Sequence, residues 1–426
     1  MVVAARLFGR VANVLLSGSK ARSPRQPLSA GRSKAGPIAE KGGFCKCEAG
    51  NARGGRPKNQ QRFIPLPSND RHAVWSTGAF RIWRHSVNKL LTLAAGLVLT
   101  AAASAPALAQ STLDKIKARG HIICGASEGV PGFSLQDKNG VWQGFDTDVC
   151  RALAAAIFND PNKATYLSLS SKNRLVSLQS GEIDVLARTT TWSLGRDIGQ
   201  GVAFTTVNYY DGQGFIVRKK LGVKGVKDLN GASVCVSQGT TTELNLADYG
   251  RSNGIKFETV AFATLEDTVQ AYEAGRCDAY TTDLSALAGT RGRLKDPEEH
   301  MLLQEVISKE PLGPWVRKND PTWFDLVRWT VIATVNAEEL GVTQANVEEL
   351  AKTSQNPEIR RMLGTEGKFG EGLGLTNDWV VRIIKAVGNY GESFERHFGA
   401  KTTNPLPRGV NNLWTKGGLQ YGPPIR

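Results

Sequence analysis

The sequence predicts an α/β fold in two similar lobes, each a mostly parallel sheet flanked by helices, with a cleft between them. Three observations carry this. First, one pattern is used twice, in Leu178-Gln179-Ser180-Gly181-Glu182-Ile183-Asp184-Val185 and in Tyr272-Glu273-Ala274-Gly275-Arg276-Cys277-Asp278-Ala279. Each copy ends a helix-like stretch with a small residue and Gly and then enters a short strand. Second, both strands run into polar residues, Arg188 to Thr191 in one copy and Thr281, Thr282 and Asp283 in the other. Third, superposing the copies at their glycines sets Thr189 opposite Asp283, so two lobes aim polar groups from their strand ends at one small cleft.

The elements follow in order. His121 to Gly125 is a short apolar run closed by Gly and reads as a buried strand. A loop through Gly129, Pro131 and Gly132 leads to Gly144-Phe145-Asp146-Thr147-Asp148, where either Asp is expected to cap a helix from Val149 to Phe158. Strand Thr165–Leu169 and helix Asn173–Leu178 complete a βαβ set before the Asp184 strand. Tyr209 to Lys219 then carries the chain into the second lobe through Asp211-Gly212-Gln213-Gly214. There the cycle repeats with strand Ala232–Val236, helix Glu243–Asp248, strand Thr259–Phe262, helix Leu265–Glu273 and the Asp278 strand. Ile307 to Val316 returns the chain to lobe one. The rest reads as helical, with Phe324, Val327, Val331 and Val335 on one apolar stripe and Trp379, Ile383, Ile384 and Val387 on another, both taken as packing faces. The lobe-one segments are thus 111–211 and 311–426, the latter with a helical extension, and lobe two is 212–310. Two crossings make a hinge, and hinged lobes close around ligands.

Charge separates the first 109 residues from the rest. They hold 17 of the 53 Lys and Arg and 3 of the 39 Asp and Glu, leaving 36 of each sign after them, so the basic balance gives no reason to expect a nucleic-acid partner. Residues 1–80 are rich in Arg, Gly, Ser and Pro and are expected to be disordered, which gives Cys45 and Cys47 little weight as a metal pair. Within 81–109, Arg81, Arg84 and Lys89 precede the apolar run Leu90 to Ala103, and Ala107-Leu108-Ala109 offers a cleavage site. That is the pattern of a secretory signal peptide. Its position deep in the chain points to a translation start near Val87, with a genuine, cleaved extension as the alternative. No stretch after Gln110 has the length of a membrane span. Cys124, Cys150, Cys235 and Cys277 remain, and the repeat pairs Cys124 with Cys150 and Cys235 with Cys277, one bridge in each lobe; buried free thiols are the alternative.

Three groups converge on the cleft. In Arg188-Thr189-Thr190-Thr191-Trp192-Ser193-Leu194-Gly195-Arg196, Arg196 offers a planar fork to a carboxylate, and Thr189 and Thr191 add hydroxyls. In Gln238-Gly239-Thr240-Thr241-Thr242-Glu243, the glycine turn leads to a helix N-terminus that favours an anion, although Thr240 or Thr241 also suits an ordinary cap. Asp283 is the carboxylate opposite Thr189 and suits a cation, or a cap on the helix after it. Together they make a socket for the zwitterion shared by α-amino acids.

With these residues in hand, the chain resembles the periplasmic amino-acid-binding proteins of ABC importers, solute-binding protein family 3, and within it the general L-amino-acid-binding proteins of α-proteobacteria. The likeness runs from Leu113 to Arg426 and includes Asn208-Tyr209-Tyr210-Asp211-Gly212-Gln213-Gly214-Phe215, the run Gly239 to Tyr249 and the tail Gly422-Pro423-Pro424-Ile425-Arg426. The resemblance implies a type II periplasmic-binding-protein fold, L-amino acids as ligands, membrane permease subunits as partners, a monomer in the periplasm, and neither cofactor nor metal. It also implies Arg196 for the α-carboxylate, Thr189, Thr191, Thr241 and Thr242 as ligand contacts, and Asp283 for the ammonium. Ser127 and Val130 stand where the family often has an acid and an aromatic, with Glu128 and Phe133 nearby, which suits broad specificity. Arg188 is expected to draw acidic side chains.

Rival readings place an enzyme on the same fold. A cyclohexadienyl dehydratase needs a cleft acid as proton donor, for which Glu128 is the candidate. A lytic transglycosylase needs a second catalytic domain that Ala351–Arg426 does not supply, and a receptor ectodomain needs an anchor. The reading taken is a binding protein and not an enzyme.

Overall fold

The computed structural model describes residues 110–403 and 405–426. The basic extension, the signal peptide and Cys45 and Cys47 lie outside them.

Lobe one opens with helix α1 (Thr112–Arg119), capped by Ser111 and stopped by Gly120 in the left-handed region. Strand β1 (Ile122–Ala126) follows, then a hairpin of β2 (Leu135–Gln136) and β3 (Trp142–Gln143), helix α2 (Phe145–Phe158), β4 (Ala164–Ser168), α3 (Arg174–Ser180), β5 (Val185–Leu186), α4 (Leu194–Gly199) and β6 (Val202–Phe204). The first crossing is β7 (Tyr209–Asp211). Lobe two contains β8 (Gln213–Arg218), β9 (Ser233–Ser237), α5 (Thr241–Asn253), β10 (Glu258–Phe262), α6 (Leu265–Glu273), β11 (Ala279–Asp283), α7 (Leu284–Arg291) and β12 (His300–Leu302). The second crossing is β13 (Glu310–Leu312). The chain then adds β14 (Trp315–Arg317), the long helix α8 (Pro321–Glu339), and α9 (Val347–Thr353), α10 (Pro357–Met362), α11 (Phe369–Gly372), α12 (Trp379–Val387) and α13 (Tyr390–Phe398).

The two five-stranded sheets share one plan. Lobe one is ordered β4-β1-β5-β14-β6 and lobe two β10-β9-β11-β8-β12. In each, the first three strands pair in parallel, and the fourth, β14 or β8, pairs antiparallel with both of its neighbours. The crossings β7 and β13 pair antiparallel as a separate ribbon, Asp211 with Glu310, Tyr210 with Pro311 and Tyr209 with Leu312. Tyr209 is buried in an aromatic cluster with Phe133, Phe145, Phe394 and Phe398, which seats the ribbon on lobe one. The C-terminal Asn411 brackets the neighbouring residue, accepting from Tyr210 N at 2.7 Å and donating to Tyr210 O at 3.0 Å. The α8 and α12 stripes lie in the core, with Val327, Val331 and Val335 buried on one and Trp379, Ile383, Ile384 and Val387 on the other. Both disulfides are present, Cys124–Cys150 with Cα atoms 6.4 Å apart and Cys235–Cys277 at 5.6 Å.

One expectation fails. Helix α2 starts at Phe145, so Asp146 and Asp148 stand inside its first turn and cap nothing; the cap position belongs to Gly144. Only glycine fits there, because its φ is 139° and a Cβ would lie 2.0 Å from Phe133 O. Both carboxylates are freed for other partners. Asp148 accepts from Ser393 Oγ at 2.7 Å and Arg396 Nη2 at 2.8 Å, and meets His397 Nε2 at 2.8 Å, which ties α13 to α2. Burial raises the Asp148 pKa, but the hydrogen bond and charge of His397, with Arg396, outweigh it and hold the carboxyl at about 2.

Two consequences are measurable. Asp148 titrates lower in the folded chain than in the unfolded one, so its contribution is present above about pH 4 and is lost as pH falls toward 2. Urea unfolding should lose about 2 kcal/mol over that window, and Asp148→Asn should remove most of this dependence. The Cys235–Cys277 bridge closes a loop with a separation of 42 residues, and replacing both cysteines with Ser should cost about 3–4 kcal/mol in the same assay.

Candidate ligand-binding site

Strands β5 and β11 end on opposite sides of the cleft, and the residues after them line one cavity. Arg188, Thr189 and Thr191 come from lobe one, and Thr241, Thr242 and Asp283 from lobe two. Val130 and Leu265 close one side, and Arg174 of α3 reaches in as well, with Ser171, Ser237, Thr240, Tyr280 and Thr282 completing the polar lining. About 50 Å³ of this space admits a water-sized sphere. The lobes touch around it: Thr191 and Thr241 hydroxyls are 3.2 Å apart, and Glu128 Oε2 accepts from Leu265 N at 3.2 Å.

Thr189 holds a φ of 33°, rare for a β-branched residue. The cause is Asp146, whose Oδ2 accepts the Thr189 N–H at 2.7 Å; Thr189 O in turn lies 3.4 Å from Arg174 Nη1. Burial pushes the Asp146 carboxyl up to about 6, against the Thr189 hydrogen bond, Asn208 and the charge of Arg188. Local strain of this kind persists only where the surroundings hold it.

The three arginines differ in use. Arg188 donates from Nε to Leu169 O at 2.8 Å and from Nη2 to Ser171 Oγ at 3.2 Å, and burial lowers its pKa to about 10. Arg196 lies behind Thr191, donating from Nη1 to its carbonyl at 3.0 Å, and Nη2 stands 3.5 Å from Gly239 O across the cleft. Burial lowers its pKa, with Glu310 and Asp283 opposing. Arg174 is lowered well below its usual value by burial and then by the charges of Arg196 and Arg188. Sequence reasoning passed over Arg174 because it stands early in a helix, where a solvated Arg is the ordinary expectation.

On the facing side Gly239, at φ 73°, turns β9 into α5. Thr240 is the cap, its Oγ1 accepting from Glu243 N at 3.0 Å, and it also receives the Thr242 hydroxyl at 2.9 Å. Thr241 is thereby left free of capping. Asp283 occupies the cap position of α7, but its side chain makes no capping bond, and among the described residues its buried Oδ1 meets no hydrogen-bond partner. Burial raises its pKa well above the usual carboxylate value, followed by the charges of Asp211 and Glu310; Arg174 and Arg196 pull the other way. An acceptor held this way between cations and acids is complementary to a small ligand with an N–H donor.

Residues 122–345 match the bacterial extracellular solute-binding proteins, family 3. The chain belongs to this family. Among relatives of this solute-binding protein is the general L-amino acid-binding periplasmic protein AapJ of Rhizobium johnstonii, 53% identical over 341 residues, which span 80% of this chain and 99% of that one. The glutamate/glutamine/aspartate/asparagine-binding protein BztA of Rhodobacter capsulatus is 52% identical over 331 residues, 78% of this chain and 98% of its own. A solved structure, an ABC transporter/periplasmic binding protein from Brucella ovis with glutathione bound, is 52% identical with a TM-score of 0.73, covering 74% of this chain and 100% of that one. The fold is the type II periplasmic-binding-protein fold. No described helix is long and apolar enough to cross a membrane.

Of the residues expected at the solute site, Arg196 stands behind the cavity wall at Thr191, and two others are turned away from the cavity. Phe133 is fully buried against Tyr209 and Phe398, with ring centroids at 5.1 and 4.9 Å, because the β1 loop turns it into the aromatic cluster under the hinge. Ser127 is fully buried, and its hydroxyl meets Ser134 Oγ at 2.5 Å and accepts from Val130 N at 3.1 Å, so it shapes the loop and leaves Val130 to face the cavity.

One residue this solute-binding protein uses at the hinge carries no motif. Glu310 accepts from Thr191 and Thr241 at 2.6 and 2.8 Å. Its register partner Asp211 accepts from Ser285 Oγ, and burial pushes Asp211 up to about 6. The signal available in the sequence was position alone, an acid at each of the two crossings. Asp211 binds its proton more tightly folded than unfolded, so its contribution is present at low pH and fades as pH rises through about 6. Asp211→Asn should therefore stabilise the ligand-free chain by about 2 kcal/mol at pH 8 in urea unfolding, with little change at pH 4.

Proposed function

We propose that the protein captures L-amino acids in the periplasm, between its lobes, and delivers them to the membrane permease of an ABC importer. The observation that carries this is the unpartnered Oδ1 of Asp283 in a cavity between the lobes, with Arg196 standing behind Thr191 near enough for its charge to act on Asp283. An α-ammonium on Asp283 and an α-carboxylate on Arg196 and the α5 N-terminus, with Thr189, Thr191, Thr241 and Thr242 alongside, would fill every polar group of a zwitterion. Charged hydrogen bonds of about 1.5–3 kcal/mol each, less the loss of ligand freedom, are enough for micromolar affinity, about 8 kcal/mol. Arg196 and Asp283 sit on different lobes, so one molecule engages both in the closed arrangement and binding drives closure.

Broad side-chain tolerance follows from the walls. Val130 stands where an aromatic would narrow the pocket, and a second cavity of about 160 Å³, lined by both lobes, shares Val130, Leu265 and Ala286 with the first. Longer ligands have somewhere to extend. Relatives named for general or four-fold amino-acid binding, and the glutathione in the Brucella ovis structure, support this. Arg188 favours acidic side chains. The signal peptide delivers the chain to the periplasm, and a monomer suits delivery to a permease. Glu128, the candidate acid of the dehydratase reading, is engaged with Leu265 N at the cavity mouth, and the reading as a binding protein takes it as a closure contact.

Calorimetric titration with the twenty L-amino acids, after stripping by unfolding and refolding, should find micromolar or tighter binding by several of them and none by the D-isomers. Binding by none would end the proposal. Arg196→Ala should weaken binding about 100-fold, about 3 kcal/mol; a loss under threefold would remove Arg196 from the clamp. Because an ammonium requires ionised Asp283, affinity should fall as pH is lowered, and Asp283→Asn should bind weakly with a flatter pH profile.

A further inference from the structure

Glu310 opens the second crossing with 1% of its surface exposed. Its two carboxylate oxygens accept four hydrogen bonds. Ser308 Oγ at 2.6 Å and Asn245 Nδ2 at 2.7 Å reach Oε1. Thr191 Oγ1 of lobe one at 2.6 Å and Thr241 Oγ1 of lobe two at 2.8 Å share Oε2. The adjoining backbone fixes the same contact, since Trp192 N donates to Pro311 O at 2.8 Å.

We infer that Glu310 is a positioning residue that turns the Thr191 and Thr241 hydroxyls into acceptors toward the ligand, and so selects a protonated amine. A hydroxyl has one hydrogen to donate and lone pairs to accept with, while a carboxylate can only accept. Each threonine therefore spends its hydrogen on Glu310. What these two threonines turn toward the cavity is oxygen lone pairs, joined by the unpartnered Oδ1 of Asp283. That part of the cavity welcomes an N–H donor, while Arg174 and the Tyr280 hydroxyl, which line the same cavity, are left for an acceptor such as the α-carboxylate. An L-amino acid satisfies it; the 2-hydroxy acid of the same skeleton brings one hydrogen where the ammonium brings three. Because Oε2 holds one threonine from each lobe, the same bonds also tie the lobes together in the closed arrangement. A ligand leaving the site must first break them.

This inference rests on the amino-acid reading, and the test separates the two. Binding of L-glutamate and L-2-hydroxyglutarate, and of L-alanine and L-lactate, is measured for the wild type and for Glu310→Gln, with dissociation followed by stopped-flow tryptophan fluorescence and folding checked by thermal unfolding. The amide of Gln can itself donate, which releases the threonine hydroxyls to turn. Glu310→Gln should release L-glutamate at least tenfold faster and narrow the preference for amino acid over hydroxy acid by a similar factor. Asn245→Ala, which removes one donor from Oε1 and leaves the cavity wall intact, should speed release severalfold without changing that preference, and it serves as well if Glu310→Gln does not fold. An unchanged preference and release rate in Glu310→Gln, or an unchanged release rate in Asn245→Ala, would overturn the inference while leaving amino-acid binding in place. A wild type that binds neither class would instead remove the reading beneath it.

Discussion

Asp211 and Glu310 face each other in the antiparallel ribbon where the chain leaves lobe one and where it comes back, and the rest of the site hangs from that pairing. Three residue pairs are all that the ribbon contains, yet they fix where both sheets stand relative to the cleft. The aromatic cluster under Tyr209 attaches the ribbon to lobe one, while Gln213 on the far side donates to Thr242 O and Thr281 Oγ1 at 2.9 Å and attaches it to lobe two. Bending is thereby confined to a few residues between two well-packed bodies, each with its own internal disulfide. A closing motion of such a molecule moves whole lobes and leaves their interiors unchanged.

The electrostatics of the cleft follow from the same geometry. Arg174, Arg188 and Arg196 project from lobe one, and Asp211, Asp283 and Glu310 gather near the crossings and the β11 end. Each set is uncomfortable alone, since burial and like charge push the arginines down and the carboxyls of Asp211 and Asp283 up. Close together they relieve one another in part, and a zwitterion placed between them would complete the relief. This differs from a surface ion pair, whose partners lose little by parting because water replaces them. In the cleft the partners are already dry.

Most of the architecture was legible in the sequence because it repeats. The two Gly-then-strand signatures located β5 and β11, and with them the polar ends that make the cavity; the cysteine pairing followed from the same repeat. Helix α6 has the bounds the sequence predicted, Leu265–Glu273, and the structure shows Thr264 capping it. What escaped were features set by contacts between distant segments. The true start of α2 depends on Gly144 fitting against Phe133 O. Phe133 and Ser127 read as site residues from their loop, but a loop's sequence does not say which way its side chains turn. Arg174 and Glu310 were overlooked for a common reason: a charged residue without a motif reads as solvated until tertiary contacts bury it.

The strand order has a consequence for how the molecule comes into being. β14 lies between β5 and β6 in the lobe-one sheet, yet it is made about a hundred residues after them, once all of lobe two has emerged. Lobe two is one uninterrupted segment whose ends meet at the ribbon, so it has everything it needs to fold as soon as that segment has been made. Lobe one cannot close its sheet at that point; β6 has no neighbour and β5 has one side open. The inserted lobe is thus the natural first product, and the lobe that contains the N-terminus finishes last, the reverse of the usual N-to-C order of domain folding. During that interval the gap beside β5 is an exposed sheet edge, a liability for aggregation, and the segment that fills it is the same one that carries the second half of the hinge. Completion of lobe one and assembly of the two-stranded ribbon are therefore a single event.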